Sequence, residues 1–107
     1  MTFDFENTEN AEVIYDNAGV KGLLVNKEPG TEIIKMIFSP GSEVPSHSVP
    51  FTAEFEIIKG EGILTVDGKE HQVSAGSVLT AEKGKPRGIK NNDNGEMIVK
   101  VTKTTEK

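Results

Sequence analysis

Gly41-Ser42-Glu43-Val44-Pro45-Ser46-His47-Ser48-Val49 opens the stretch that decides the fold. It continues through Ala53-Glu54-Phe55-Glu56-Ile57-Ile58-Lys59-Gly60-Glu61-Gly62 to Asp67-Gly68, Gly76 and Lys83-Gly84-Lys85-Pro86-Arg87-Gly88-Ile89-Lys90-Asn91. The runs between its glycines and prolines are short and rich in β-branched residues, so each reads as a strand closed by a turn. Asp67-Gly68 lies between Ile63-Leu64-Thr65-Val66 and the run Lys69 to Val73, and predicts a hairpin, because a type I′ turn needs positive φ at both central residues. Asn94-Gly95, between the run Arg87 to Lys90 and the run Glu96 to Thr102, predicts a second one.

Working outward, Glu12-Val13-Ile14-Tyr15 and Val20-Lys21-Gly22-Leu23-Leu24-Val25 read as strands separated by the turn Asp16-Asn17-Ala18-Gly19. The run Glu32 to Phe38 is apolar on both faces, with Ile33 and Ile37 alternating against Ile34, Met36 and Phe38, so it is expected to be covered twice, by the interior and by a second surface. Ser77 to Ala81 is a further strand, and Glu96 to Thr102 places Met97, Val99 and Val101 on one face. The sum is about eight or nine short strands without a helix, an all-β chain closed as a barrel or rolled as two sheets. Residues 1–11 are expected to be a polar arm, 12–102 the β-barrel domain and 103–107 a tail.

Composition bounds the rest. A chain of 107 residues forms one domain, and its 11 Gly and 5 Pro suit many tight turns. A net charge of −5 offers no basic stripe for nucleic acid. The absence of Cys excludes a thiol nucleophile, a thiolate metal site and a disulfide framework. No apolar run is long enough for a membrane helix and the start of the chain is acidic, so no membrane partner is expected and a cytoplasmic protein is.

The punctuation resembles the two sequence motifs of the cupin family. The first of these runs Gly, five residues, His, one residue, His, three or four residues, Glu, six residues, Gly. Gly41, His47 and Gly60 fall in register with it, while Val49 occupies the second His slot and Ala53 the Glu slot. In the second motif Gly76, Gly84 and Asn91 match, Glu82 replaces a Pro, and Arg87 replaces the third His. The resemblance implies a double-stranded β-helix, or jelly-roll barrel, with a pocket inside it. In metal-bearing cupins three imidazoles and a carboxylate meet there on one ion.

Here His47 is the one metal-capable side chain in those four slots. Val49 and Ala53 have no donor atom and a guanidinium stays protonated. A lone imidazole makes no chelate, so no cofactor is expected, with a divalent transition metal as the less favoured alternative. If the four-residue spacing applied, Glu54 would take the Glu slot, at the expense of turning Phe55 outward. His71 follows the Asp67-Gly68 turn, in a region that lies away from the pocket in the family.

The resemblance implies a pocket lined by His47, Val49, Ala53, Phe55 and Arg87. An Arg facing such a pocket needs compensation, from Glu54 or Glu56 or from an anionic ligand, with Lys83, Lys85 and Lys90 adding positive potential at the mouth. The expected guest is a small organic molecule carrying a carboxylate or phosphate, held without a metal. One alternative is a metal-dependent or acid–base enzyme (oxygenase, isomerase or decarboxylase) using His47 with Glu54, and His47 is the candidate catalytic group. Another is a non-catalytic assembly or regulatory module. A homodimer is expected from the surplus apolar face of the strand holding Ile33, Ile34, Met36, Ile37 and Phe38, together with Ile58 and Ile98.

Overall fold

The computed structural model describes residues 11–104. They form strands β1 (Glu12–Asn17), β2 (Val20–Glu28), β3 (Thr31–Phe38), β4 (Glu43–His47), β5 (Thr52–Lys59), β6 (Glu61–Val66), β7 (Lys69–Ser74), β8 (Val78–Ala81), β9 (Arg87–Asn91) and β10 (Met97–Thr104). One sheet has the order β1-β2-β3-β10-β5-β8 and the other β4-β9-β6-β7. The arm expected over 1–11 lies outside the described residues except for Ala11, as do 105–107. β10 runs on through Lys103 and Thr104, so the tail expected from 103 begins with strand.

Alternation sets which residues enter the core. Val101 lies opposite Ile34 on β3 and Phe55 on β5, and Phe55 lies opposite Leu79 on β8, so one inward row crosses the larger sheet. The next inward row runs Gly22, Met36, Val99, Ile57. Phe38, Met97 and Val99 are fully buried, and each such side chain contributes about 1.5–3 kcal/mol by leaving water. The face of β10 formed by Met97, Val99 and Val101 is the inward one, as its pattern predicts. Between these rows Leu23, Lys35, Lys100, Glu56 and Val78 make an outward row. There Lys35 is only 9% exposed and Val78 is 52% exposed.

Asp67 and Gly68 have φ of 53° and 82° and join β6 to β7 in the expected hairpin. Asn94-Gly95 is not a hairpin. β9 pairs with β4 and β6, whereas β10 pairs with β3 and β5, so this turn carries the chain from one sheet to the other. The tenth strand is β4, which Pro45 hides from a propensity reading. It is an edge strand with an irregular register between Val44 and His47, where a residue lacking an N–H costs no ladder bond.

Gly62 shows how tightly the smaller sheet meets the core. A Cβ there would collide with the Lys90 carbonyl oxygen and stand 2.8 Å from Met97 Sδ. Backbone in a paired strand cannot yield cheaply. Gly62→Ala is therefore expected to cost about 2 kcal/mol, measured as a lower urea midpoint at unchanged slope.

Candidate functional site

Between the two sheets lies a cavity of about 250 Å³ that is open to solvent on one side. From the larger sheet β3 supplies Ile34 and Met36, β5 Ala53 and Phe55, and β10 Val101. From the smaller sheet β4 supplies Val44 and His47, and β9 Arg87 and Ile89. The loop between β4 and β5 adds Val49 and Phe51, and β1 brings Ile14 and Tyr15 to the same space. The five residues expected there (His47, Val49, Ala53, Phe55 and Arg87) all line it. Phe51 and Tyr15 are additions. Phe51 has the parity of Ala53 and Phe55, and that signal was available in the sequence; nothing local marks Tyr15.

Ala53 and Phe55 face the cavity, so Glu54 between them is exposed on the opposite face, opposite Thr102 and Thr80. The four-residue spacing that would bring Glu54 inward is therefore not the register adopted, and Glu54 can serve neither as a ligand nor as a partner of His47. Glu56 lies on that outward face as well. Lys90 is similarly turned out by alternation with Ile89, over a separate groove shared with Glu43, Thr65 and Glu70. Lys85 lies 3.8 Å from Asp67. None of Lys83, Lys85 and Lys90 lines the cavity.

Arg87 is 4% exposed. Its Nε donates to the Lys85 carbonyl at 2.8 Å, and its Nη2 to the carbonyls of Glu82 at 2.8 Å, Phe51 at 3.2 Å and Ala81 at 3.4 Å. Its Nη1 is buried and has no hydrogen-bond partner among the described residues. Of the compensations expected for this charge, pairing with Glu54 or Glu56 is not the one adopted, since both lie on the outward face. Carbonyl dipoles from the β8–β9 turn and the β4–β5 loop take that place, because they are the groups the fold brings within reach. These dipoles cap the guanidinium but supply no counter-charge, and among the described residues no carboxylate pairs with it. Burial lowers its pKa from the ordinary value, yet a guanidinium remains charged at any working pH. The Phe51 ring has two cations near it, its centroid 5.6 Å from Arg87 Cζ and 4.4 Å from Lys103 Nζ.

His47 stands opposite Arg87 in the β4–β9 ladder and is largely exposed. Its Nδ1 lies 2.9 Å from the Pro45 carbonyl. A carbonyl only accepts, so in the neutral ring Nδ1 carries the proton and Nε2 is free to accept. His71 is on β7 opposite Leu64 and does not border the cavity. Among the described residues no three His, Cys, Asp or Glu side chains come together as a metal-holding group. The donor set does not fit the ion that the fold family implies: one imidazole, two aliphatic side chains and a cation occupy the four ligand slots.

Among the described residues there is no helix long and apolar enough to cross a membrane. The family model described as "Cupin domain" matches residues 34–102. A crystal structure of an RmlC-like cupin from Shewanella frigidimarina is 19% identical, with 100% of this chain and 96% of that one covered at a TM-score of 0.83. A predicted oxalate decarboxylase from Thermotoga maritima is 21% identical, with 97% and 98% covered and a TM-score of 0.83. An RmlC-like cupin protein from Desulfovibrio desulfuricans is 27% identical, with 88% and 90% covered and a TM-score of 0.72. No curated protein matches the sequence.

Proposed function

The chain belongs to the cupin domain family, and from that premise we propose that its barrel holds a small organic anion without the help of a metal ion. The observation that carries this reading is Arg87: a buried guanidinium with no carboxylate partner among the described residues, bordering a cavity whose walls are otherwise mostly apolar. A fixed charge in such surroundings is stabilised by a mobile anion that enters the same space. Val49, Ala53 and Phe55 form walls, Arg87 fixes the anion, and His47 Nε2 accepts a hydrogen bond where the body of the guest carries a hydroxyl or N–H.

Acid–base catalysis at His47 has less support. The imidazole is held by one backbone carbonyl, and Glu54, its nominated partner, points away. The oxalate decarboxylase name attached to the Thermotoga maritima protein carries no residue roles to this chain, at 21% identity.

Elemental analysis of protein purified without added metal tests the metal-free part. Transition metals well below one per chain are expected, unchanged in His47→Ala. A stoichiometric metal that disappears in His47→Ala would overturn the reading.

A further inference from the structure

We infer that Asn94 is a site of spontaneous modification: in the folded protein its side chain closes on the Gly95 nitrogen, loses ammonia and becomes aspartate or isoaspartate. The isoaspartate form loosens the turn that carries the chain from one sheet to the other.

The fold does not require a glycine at this position. Asn94-Gly95 links β9 to β10 across the sheets and makes no hairpin. Gly95 lacks the positive φ of Gly68, and a Cβ placed on it would meet nothing within 4 Å. What the glycine does leave is an unshielded amide nitrogen beside an asparagine. Both residues are exposed. The Asn94 main-chain N–H donates to Asp93 Oδ1 at 2.7 Å. Among the described residues neither the Asn94 side-chain amide nor the Gly95 N–H makes a hydrogen bond. The two reacting groups are therefore adjacent, in water and unengaged.

Competing positions lack one or more of these features. Asn-Gly occurs once in the chain. Asn17, Asn26 and Asn92 precede residues whose side chains crowd the attacking nitrogen. Asn91 is buried with both ends of its amide bonded. Asp67 precedes Gly68 but lies 3.8 Å from Lys85 as a carboxylate, which is a poor electrophile.

The step balances with water as the only co-reactant. The Gly95 nitrogen gives its proton to solvent base and bonds to Asn94 Cγ. The Cγ–Nδ2 bond breaks, and Nδ2 leaves as ammonia. Water then opens the cyclic imide at either carbonyl. Opening at Cγ leaves aspartate. Opening at the main-chain carbonyl leaves isoaspartate, whose main chain runs through Cβ and Cγ and is one carbon longer.

This turn has little slack for the added atom, because both of its ends are held by Asn91. The Asp93 N–H donates to Asn91 Oδ1 at 2.9 Å, and the Gly95 carbonyl accepts from Asn91 Nδ2 at 2.9 Å. Beyond it the main chain is pressed on Gly60, where a Cβ would stand 2.9 Å from the Glu96 carbonyl oxygen and 3.0 Å from Met97 Cα. Lengthening the chain between these anchors breaks the Asn91–Gly95 bond, whereas aspartate keeps the normal path and leaves it intact.

The test incubates the full chain in warm, mildly alkaline buffer, maps the Asn94 peptide by mass spectrometry and labels isoaspartate with an isoaspartyl methyltransferase. Native protein is expected to convert at Asn94 within about tenfold of the rate in urea, since an exposed turn needs little opening. Gly95→Ala, for which the turn has room, should slow conversion at least about tenfold. The isoaspartate fraction, separated by ion exchange, should melt about 5 °C below Asn94→Asp, which carries the charge without the extra atom. Conversion confined to urea, or unchanged in Gly95→Ala, would overturn the site. An isoaspartate fraction that melts with Asn94→Asp would overturn the loosening of the turn.

Discussion

Asn91→Leu is expected to lower stability by about 3 kcal/mol, a fall in melting temperature on the order of 15 °C for a domain of this size. Asn91 has no exposed surface. Its Nδ2 donates to the carbonyls of Phe38 at 3.1 Å, Ser39 at 3.1 Å and Gly95 at 2.9 Å, and its Oδ1 accepts from the Asp93 N–H at 2.9 Å. One amide thus ties the end of β3, in the larger sheet, to the turn that leads into β10. Its own main chain completes the tie, since Asn91 N–H donates to Ser42 and its carbonyl accepts from Gly41. Leucine of similar size removes the bond to the buried Phe38 carbonyl and those to Gly95 and the Asp93 N–H, while the Ser39 carbonyl keeps the Ser42 N–H and hydroxyl. The neighbouring Asn92 is exposed, so Asn92→Leu should stay within about 0.5 kcal/mol of the parent protein. Thermal and urea unfolding of both variants check the pair, and equal stabilities would refute the pin.

Arg87→Met is the second large effect, with two expected consequences of different origin. Stability should fall by about 3 kcal/mol, because charge-assisted bonds to four carbonyls are lost and removal of the buried charge offsets only part of that. Loss of the bond to Phe51 also frees the β4–β5 loop, whose remaining ties include the Gly84 N–H on the Val49 carbonyl at 2.9 Å and the Lys83 N–H on Thr52 Oγ1 at 3.1 Å. Hydrogen exchange should therefore speed up at residues bordering Val49 to Thr52 more than in β6 and β7. Arg87→Lys is expected to recover only part of the stability, since an ammonium cannot reproduce the planar fork that reaches both loops. An Arg87→Met protein as stable as the parent would show that these bonds contribute nothing net.

The glycine and turn frame was legible because those positions answer to backbone geometry. Asp67-Gly68 announces positive φ at two adjacent residues, and the glycines of the barrel mark turns that few other residues can make. Alternation carried equally far: it separates Ala53 and Phe55 from Glu54 and Glu56, and Met97, Val99 and Val101 from their neighbours. Two local stretches were not read correctly. The strand around Pro45, at a sheet edge, was passed over, and Asn94-Gly95 suggested a hairpin where the chain instead changes sheets.

The surroundings of Arg87 were out of reach for a different reason. Its partners are main-chain carbonyls, one of them on Phe51, far away in sequence. Every residue but for its place in the fold has such a group, so no side-chain pattern encodes the contact. A reader of the sequence therefore looks for a carboxylate and finds Glu54, which alternation then turns outward.

The most direct measurement is a calorimetric titration of phenylacetate, a small organic anion with an apolar body, into chelator-treated protein, repeated with Mn²⁺ added. The expected result is one site per chain, with an affinity unchanged by the ion and lost in Val49→Phe, which fills the cavity from the β4–β5 loop. Binding that appears only when the ion is supplied would contradict the account, because it would place a cation where Arg87 already holds the positive charge.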